Sequence, residues 1–151
     1  MKQVVGIVVS AIVLAGLGIG VHAAAPAAEA AGCISLTRIS FDSPGADSGS
    51  NTSRNAEWVQ LYNACAGSRS LNGWTLRDRS GHVYHFGTYS LPGYGYVKVH
   101  TGKGTDTSGH RYWGSRDYIW NNDGDKAILK NAAKTVVDTC RYSGAGSATS
   151  C

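Results

Sequence analysis

The stretch NAEWVQLYN, from Asn55 to Asn63, alternates its side chains with a period of two. Successive side chains of a strand point to opposite faces, so Val59 and Leu61 share one side while Trp58, Gln60 and Tyr62 share the other. Val59 and Leu61 are therefore expected in a core. The same reading extends to GWTLRD (73–78), where Trp74 and Leu76 share a face, to HVYHF (82–86), with Tyr84 and Phe86, and to GYVKVH (95–100), with Val97 and Val99. CISLTRIS (33–40), KAILKN (126–131) and TVVDTCRY (135–142) complete seven short expected strands.

After residue 32 no long stretch keeps a 3.6-residue apolar period, which points to an all-β fold. Strands that are apolar on one face must bury it against a second sheet, so the expected architecture is a two-sheet β-sandwich of about seven to nine strands. Asp78-Arg79-Ser80-Gly81 and Asn122-Asp123-Gly124-Asp125 have the turn chemistry of tight hairpins. Residues 42–55 and 101–117 read as long loops.

The N-terminus has the pattern of a secretory signal: Lys2, an uncharged, mostly apolar run of 18 residues from Val4 to Val21, and a small residue at Ala23. Cleavage is expected after Ala23, with a retained anchor as the alternative because the run reaches membrane-spanning length. Residues 24–32 form a small-residue linker, 33–142 the sandwich and 143–151 a tethered tail. The expected location is secreted, extracellular or at the cell surface, with no membrane span once the signal is cleaved. Without Lys2, the 14 basic residues become 13 against 10 acidic ones, a net of +3. A charge that mild does not mark a dedicated nucleic-acid binder.

Four cysteines, Cys33, Cys65, Cys140 and Cys151, lack the close pairs of a zinc site and suggest two disulfides in an exported chain. Three pairings are open. Antiparallel pairing of the first two strands would bring Cys33 beside Cys65, leaving Cys140 with Cys151 to pin the SGAGSATS tail back onto the last strand.

The aromatic-Val-x-Leu-x-Asn strand at 58–63, Leu-x-Gly-Trp-x-Leu-x-Asp at 71–78, Trp120-Asn121 before the Gly124-Asp125 turn, and the closing TVVDTCRY together resemble the lamin-tail domain family. The resemblance runs from about Cys33 to Tyr142. It implies an immunoglobulin-like sandwich, no shared catalytic activity, and recognition or scaffolding at the cell exterior, often beside other modules such as nucleases. The domain is expected to stand alone, so that no neighbouring module indicates a ligand.

Sites of chemistry are sparse. His82 and His85 lie three apart on a strand and point to opposite faces, so they do not chelate one ion. Asp123-Gly124-Asp125 lacks the ligand set of a calcium loop. No nucleophile elbow, zinc-protease motif or phosphate loop occurs, and Glu57 has no partner carboxylate at hydrolase spacing. No cofactor, metal or catalytic residue is expected, and Asn51-Thr52-Ser53 is a glycosylation pattern without an attached role.

The segment from His110 to Trp120 interleaves Arg with Tyr and Trp, a mixture suited to phosphates or carboxylates and to stacked bases or sugars. Arg111, Tyr112, Trp113 and Arg116 are the expected binding residues, with Lys98, His100 and Lys103 extending a basic surface. The competing reading buries Trp120 and Tyr118 and makes Trp113 a pin for the loop. The expected function is a non-catalytic binding or surface module whose partner is nucleic acid, a cell-surface polysaccharide or a protein. The alternative is a small secreted hydrolase such as a nuclease, with His100, His110 and an Asp drawn together.

Overall fold

A computed structural model describes residues 32–151; the expected signal and nearly all of the expected linker lie outside the described residues. The chain forms β1 (Ile34–Ser40), α1 (Asn51–Ala56), β2 (Trp58–Asn63), β3 (Arg69–Ser70), β4 (Thr75–Arg77), β5 (Val83–His85) and β6 (Ser90–Leu91), then β7 (Tyr96–His100), β8 (His110–Tyr112), β9 (Asp125–Lys130), β10 (Val136–Tyr142) and β11 (Ala148–Ser150). A five-stranded sheet in the order β11-β1-β2-β7-β8 faces a four-stranded sheet in the order β10-β9-β4-β5, and β3 pairs with β6 in a small ribbon. All pairings are antiparallel except β7 with β8. The fold is an all-β, immunoglobulin-like sandwich with two disulfides.

Alternation builds the core as expected. Val59, Leu61, Val97 and Val99 from one sheet meet Leu76, Ala127 and Leu129 from the other, with Trp74 and Phe86 beside them. In β1 the period of two fails: the inward residues are Leu36 and Ile39, and the register shifts between Leu36 and Arg38. This β-bulge keeps the apolar side inward while turning Arg38 out. The carboxylate of Asp138 on β10 accepts the backbone N–H of Leu36 at 2.8 Å, tying the two sheets together beside the bulge.

Both disulfides join the expected partners, Cys33 to Cys65 and Cys140 to Cys151, with Cα separations of 5.4 and 5.3 Å. The tail, however, does not lie along β10. It becomes β11 and pairs with β1, so the second bridge links a strand of one sheet to the end of a strand in the other. Four strands lay outside the expected seven: β3, β6, β8 and β11.

The Asp78 turn is the expected hairpin between β4 and β5, its carboxylate accepting the N–H groups of Gly81 and His82 at 2.7 Å each. The second turn is not a hairpin. Gly124 takes a φ of 126° and its N–H meets Asn121 O at 3.1 Å, yet irregular chain precedes it and β9 pairs with β4 and β10 instead.

Trp74 is 5% exposed between the sheets. Trp74→Ala should cost about 3 to 5 kcal/mol of stability. Denaturant unfolding checks this: a variant that unfolds with the wild type would place the indole outside the core.

Candidate functional site

The outer face of the five-stranded sheet is built by the residues that alternate with the core. The register sets Trp58 opposite His100, Gln60 opposite Lys98 and Tyr62 opposite Tyr96 across β2 and β7. Across β7 and β8, Lys98 lies opposite His110 and His100 opposite Tyr112. On the other side of β2, Ser40 faces Trp58 and Arg38 faces Gln60. All of these positions are half-buried or exposed, whereas their neighbours in sequence along β2 and β7 are buried. Directly opposite side chains on one face stand close enough to pack against each other.

They do so in ring pairs. Tyr62 and Tyr96 have ring centres 4.5 Å apart at 26°, and His100 and Tyr112 5.1 Å apart at 18°. The Lys98 ammonium sits 3.8 Å from the Trp58 ring centre, a cation–π contact. His100 Nε2 and His110 Nδ1 are 2.9 Å apart, and His100 Nδ1 lies 2.8 Å from Asn55 O at the end of α1. At these ladder positions the formal charges are Arg38 and Lys98, with two imidazoles and no carboxylate.

Local sequence explains how the His end is held. The carboxamides of Asn51 and Asn55 both donate to Lys103 O at 2.9 Å, and Lys103 N donates to Asn51 Oδ1 at 2.7 Å, docking the chain after β7 onto α1. The amide of the glycosylation pattern is thereby occupied. A Cβ on Gly102 would lie 2.6 Å from Asn55 Oδ1, and one on Gly104 would collide with the Tyr112 ring, so TGKG is shaped to this docking.

The expected binding residues do not form one surface. Tyr112 lies on the outer face, but Arg111, next to it on the strand, turns the opposite way. Its guanidinium carbon is 3.9 Å from the Tyr89 ring centre and its Nη1 is 3.0 Å from Asp106 Oδ2. Trp113 packs on the core between Tyr84 and Trp120, with ring centres 5.8 and 6.1 Å away. Arg116 is exposed in the bend beyond Gly114. Trp120 is fully buried, while Tyr118 is half-buried with its hydroxyl 2.6 Å from Ser53 Oγ. His100 and His110 do meet, as the hydrolase alternative required, yet among the described residues no group of three His, Cys, Asp or Glu is placed to hold a metal ion. Trp58, Gln60, Tyr62 and Tyr96 are not among the binding residues expected from the sequence. Their signal was present as rings on the side of each strand that alternates away from the core.

Behind the face, Glu57 anchors the segment that follows β8. It is 1% exposed, and its Oε2 accepts the Ile119 N–H at 3.1 Å. Burial is the largest influence and lifts its carboxyl to about 7, against the Ile119 amide, the Thr101 hydroxyl and the Trp120 amide, which pull it down. The folded state therefore holds a proton that the unfolded chain, at its ordinary 4.5, has released. This contribution is present below about pH 4.5 and lost as pH rises towards 7. Between pH 8 and pH 5 the wild type should gain on the order of 1 to 3 kcal/mol relative to Glu57→Gln. Urea unfolding at both pH values measures the difference, and parallel profiles would contradict a protonated buried acid.

The sandwich agrees with the comparison to known families, in which the lamin tail domain matches residues 27–144. No curated protein matches the chain. Covering most of its length, the match shows that the chain belongs to the lamin tail domain family.

Proposed function

We propose that this domain is a non-catalytic binding module that holds an extended anionic polymer on the outer face of its five-stranded sheet, and that the polymer is single-stranded nucleic acid. The observation that carries the reading is the composition of that face: Trp58, Tyr62, Tyr96, His100 and Tyr112 in register with Lys98 and Arg38, and no carboxylate at the ladder positions. Aromatic side chains accept unpaired bases regardless of sequence, and nearby cations follow the phosphates. A duplex offers its outer surface mainly as phosphate and keeps its bases stacked, so it would leave the rings unused. The two disulfides support an oxidising, extracytoplasmic setting, in keeping with the secretory pattern of the N-terminus.

Fluorescence titration of oligothymidylate at several salt concentrations tests the reading. Trp58→Ala and Tyr62→Ala should each weaken binding by about 1 to 3 kcal/mol, the worth of a stacked base. Lys98→Ala should lower the log–log salt slope by about 0.7, one single-strand phosphate contact. Arg116→Ala should bind as the wild type does. Equal affinities across the face variants, or a loss confined to Arg116→Ala, would move the site back to the segment after β8. Tighter binding of an acidic polysaccharide than of oligothymidylate would replace nucleic acid as the ligand.

A further inference from the structure

His100 and His110 form a directed chain of hydrogen bonds. His100 Nδ1 faces the carbonyl oxygen of Asn55, which only accepts, so Nδ1 carries the proton and donates. His100 Nε2 is then the bare acceptor and takes a proton from His110 Nδ1, 2.9 Å away. Ring centres 5.2 Å apart are those of two imidazoles meeting end to end across this bond. With both nitrogens of His100 and one of His110 assigned, the remaining lone pair of the pair is at His110 Nε2, on an exposed residue at the sheet edge.

A proton added at His110 Nε2 breaks nothing: the bond to His100 stays and becomes charge-assisted. A proton placed on His100 Nε2 would instead oppose the His110 N–H unless His110 moved its own proton out to Nε2, so either way the outward N–H of the charged pair is that of His110. The pair is thus built to accept one charge, and to present it at His110. Burial, the largest influence, holds the His100 ring below its ordinary value against the Asn55 carbonyl, which raises it, and the neighbouring His110 and Lys98 add to the lowering.

We infer that His110, backed by His100, is a proton-loaded subsite for an anionic oxygen of the ligand, a backbone phosphate in the nucleic acid proposed above, so that binding takes up a proton. The inference rests on the outer-face reading. The groups around the pair leave this role open. Lys98 lies opposite His110 in register and adds positive charge, and Tyr112 covers His100 as a neutral ring. The nearest acid in sequence, Asp106, is engaged by Arg111 and by the Tyr112 N–H. From α1 comes a carbonyl, while the Arg54 guanidinium turns away to Gly49 O. Glu57 gives its backbone carbonyl to Thr101 N and buries its carboxyl on Ile119.

Oligothymidylate binding at pH 5.5 and pH 8 at fixed salt, for the wild type, His110→Gln and Trp58→Ala, tests it. Glutamine can still donate to His100 but cannot take the charge. The wild type should bind roughly tenfold tighter at pH 5.5, the worth of one charge-assisted hydrogen bond, and His110→Gln should lose most of that gain. A wild-type affinity that does not change with pH, or a His110→Gln variant that keeps the full gain, overturns the subsite. The two proposals fail separately. If Trp58→Ala weakens binding at both pH values while His110→Gln follows the wild type, only the subsite falls. If Trp58→Ala binds as the wild type does, the outer-face reading falls. Imidazole ¹⁵N spectra of the free protein at pH 8 give a ligand-independent check, since His100 should be protonated at Nδ1 and bare at Nε2.

Discussion

The register of β2, paired with β1 on one side and β7 on the other, is the constraint on which the rest depends. Because side chains alternate, the same six residues set the core with Val59 and Leu61 and the outer face with Trp58, Gln60 and Tyr62. A slip of one residue would exchange the two sets, burying Gln60 and exposing Leu61, and the cost of that exchange holds the strand in place. The outer face therefore inherits its geometry from the core, which positions its rings without any packing of their own beneath them.

The bulge in β1 and the carboxyl groups of Asp138 and Glu57 serve the same arrangement. Each meets a backbone N–H that has left the regular ladder, of Leu36 in the first case and Ile119 in the second. A buried N–H without a partner costs more than an ordinary hydrogen bond gains. With those two amides satisfied, the sheet can bend at β1 and the chain can leave β8 for the interior. The rings then remain on one side of the sheet and the cations among them.

Much of this was legible in the sequence because period-two alternation was strong where both sheets press on a strand. Val59, Leu61, Trp74, Val97 and Val99 were read correctly, and hairpin geometry gave the disulfides. What stayed hidden had weak local signals. The three residues of β8 pair in parallel with β7 across an intervening loop, so nothing nearby in sequence marks His110–Tyr112 as a strand. Once it is one, alternation puts Arg111 and Tyr112 on opposite faces of the sheet. The tail forms β11 despite its Gly and Ser because β1 and Cys140 hold it. Ser50 caps α1 by accepting from Ser53 N, but the helix buries no residue and so shows no apolar stripe. The two histidines are ten positions apart, and only the fold makes them neighbours.

The proposed ligand meets the outer face of the five-stranded sheet. Backbone amide shifts recorded during titration with oligothymidylate test it most directly, because they locate contact without altering any side chain. The largest shifts are expected along Trp58 to Tyr62, Tyr96 to His100 and His110 to Tyr112, with the four-stranded sheet unmoved. Shifts centred on β4, β5 and β9, or confined to the bend around Arg116, would contradict it.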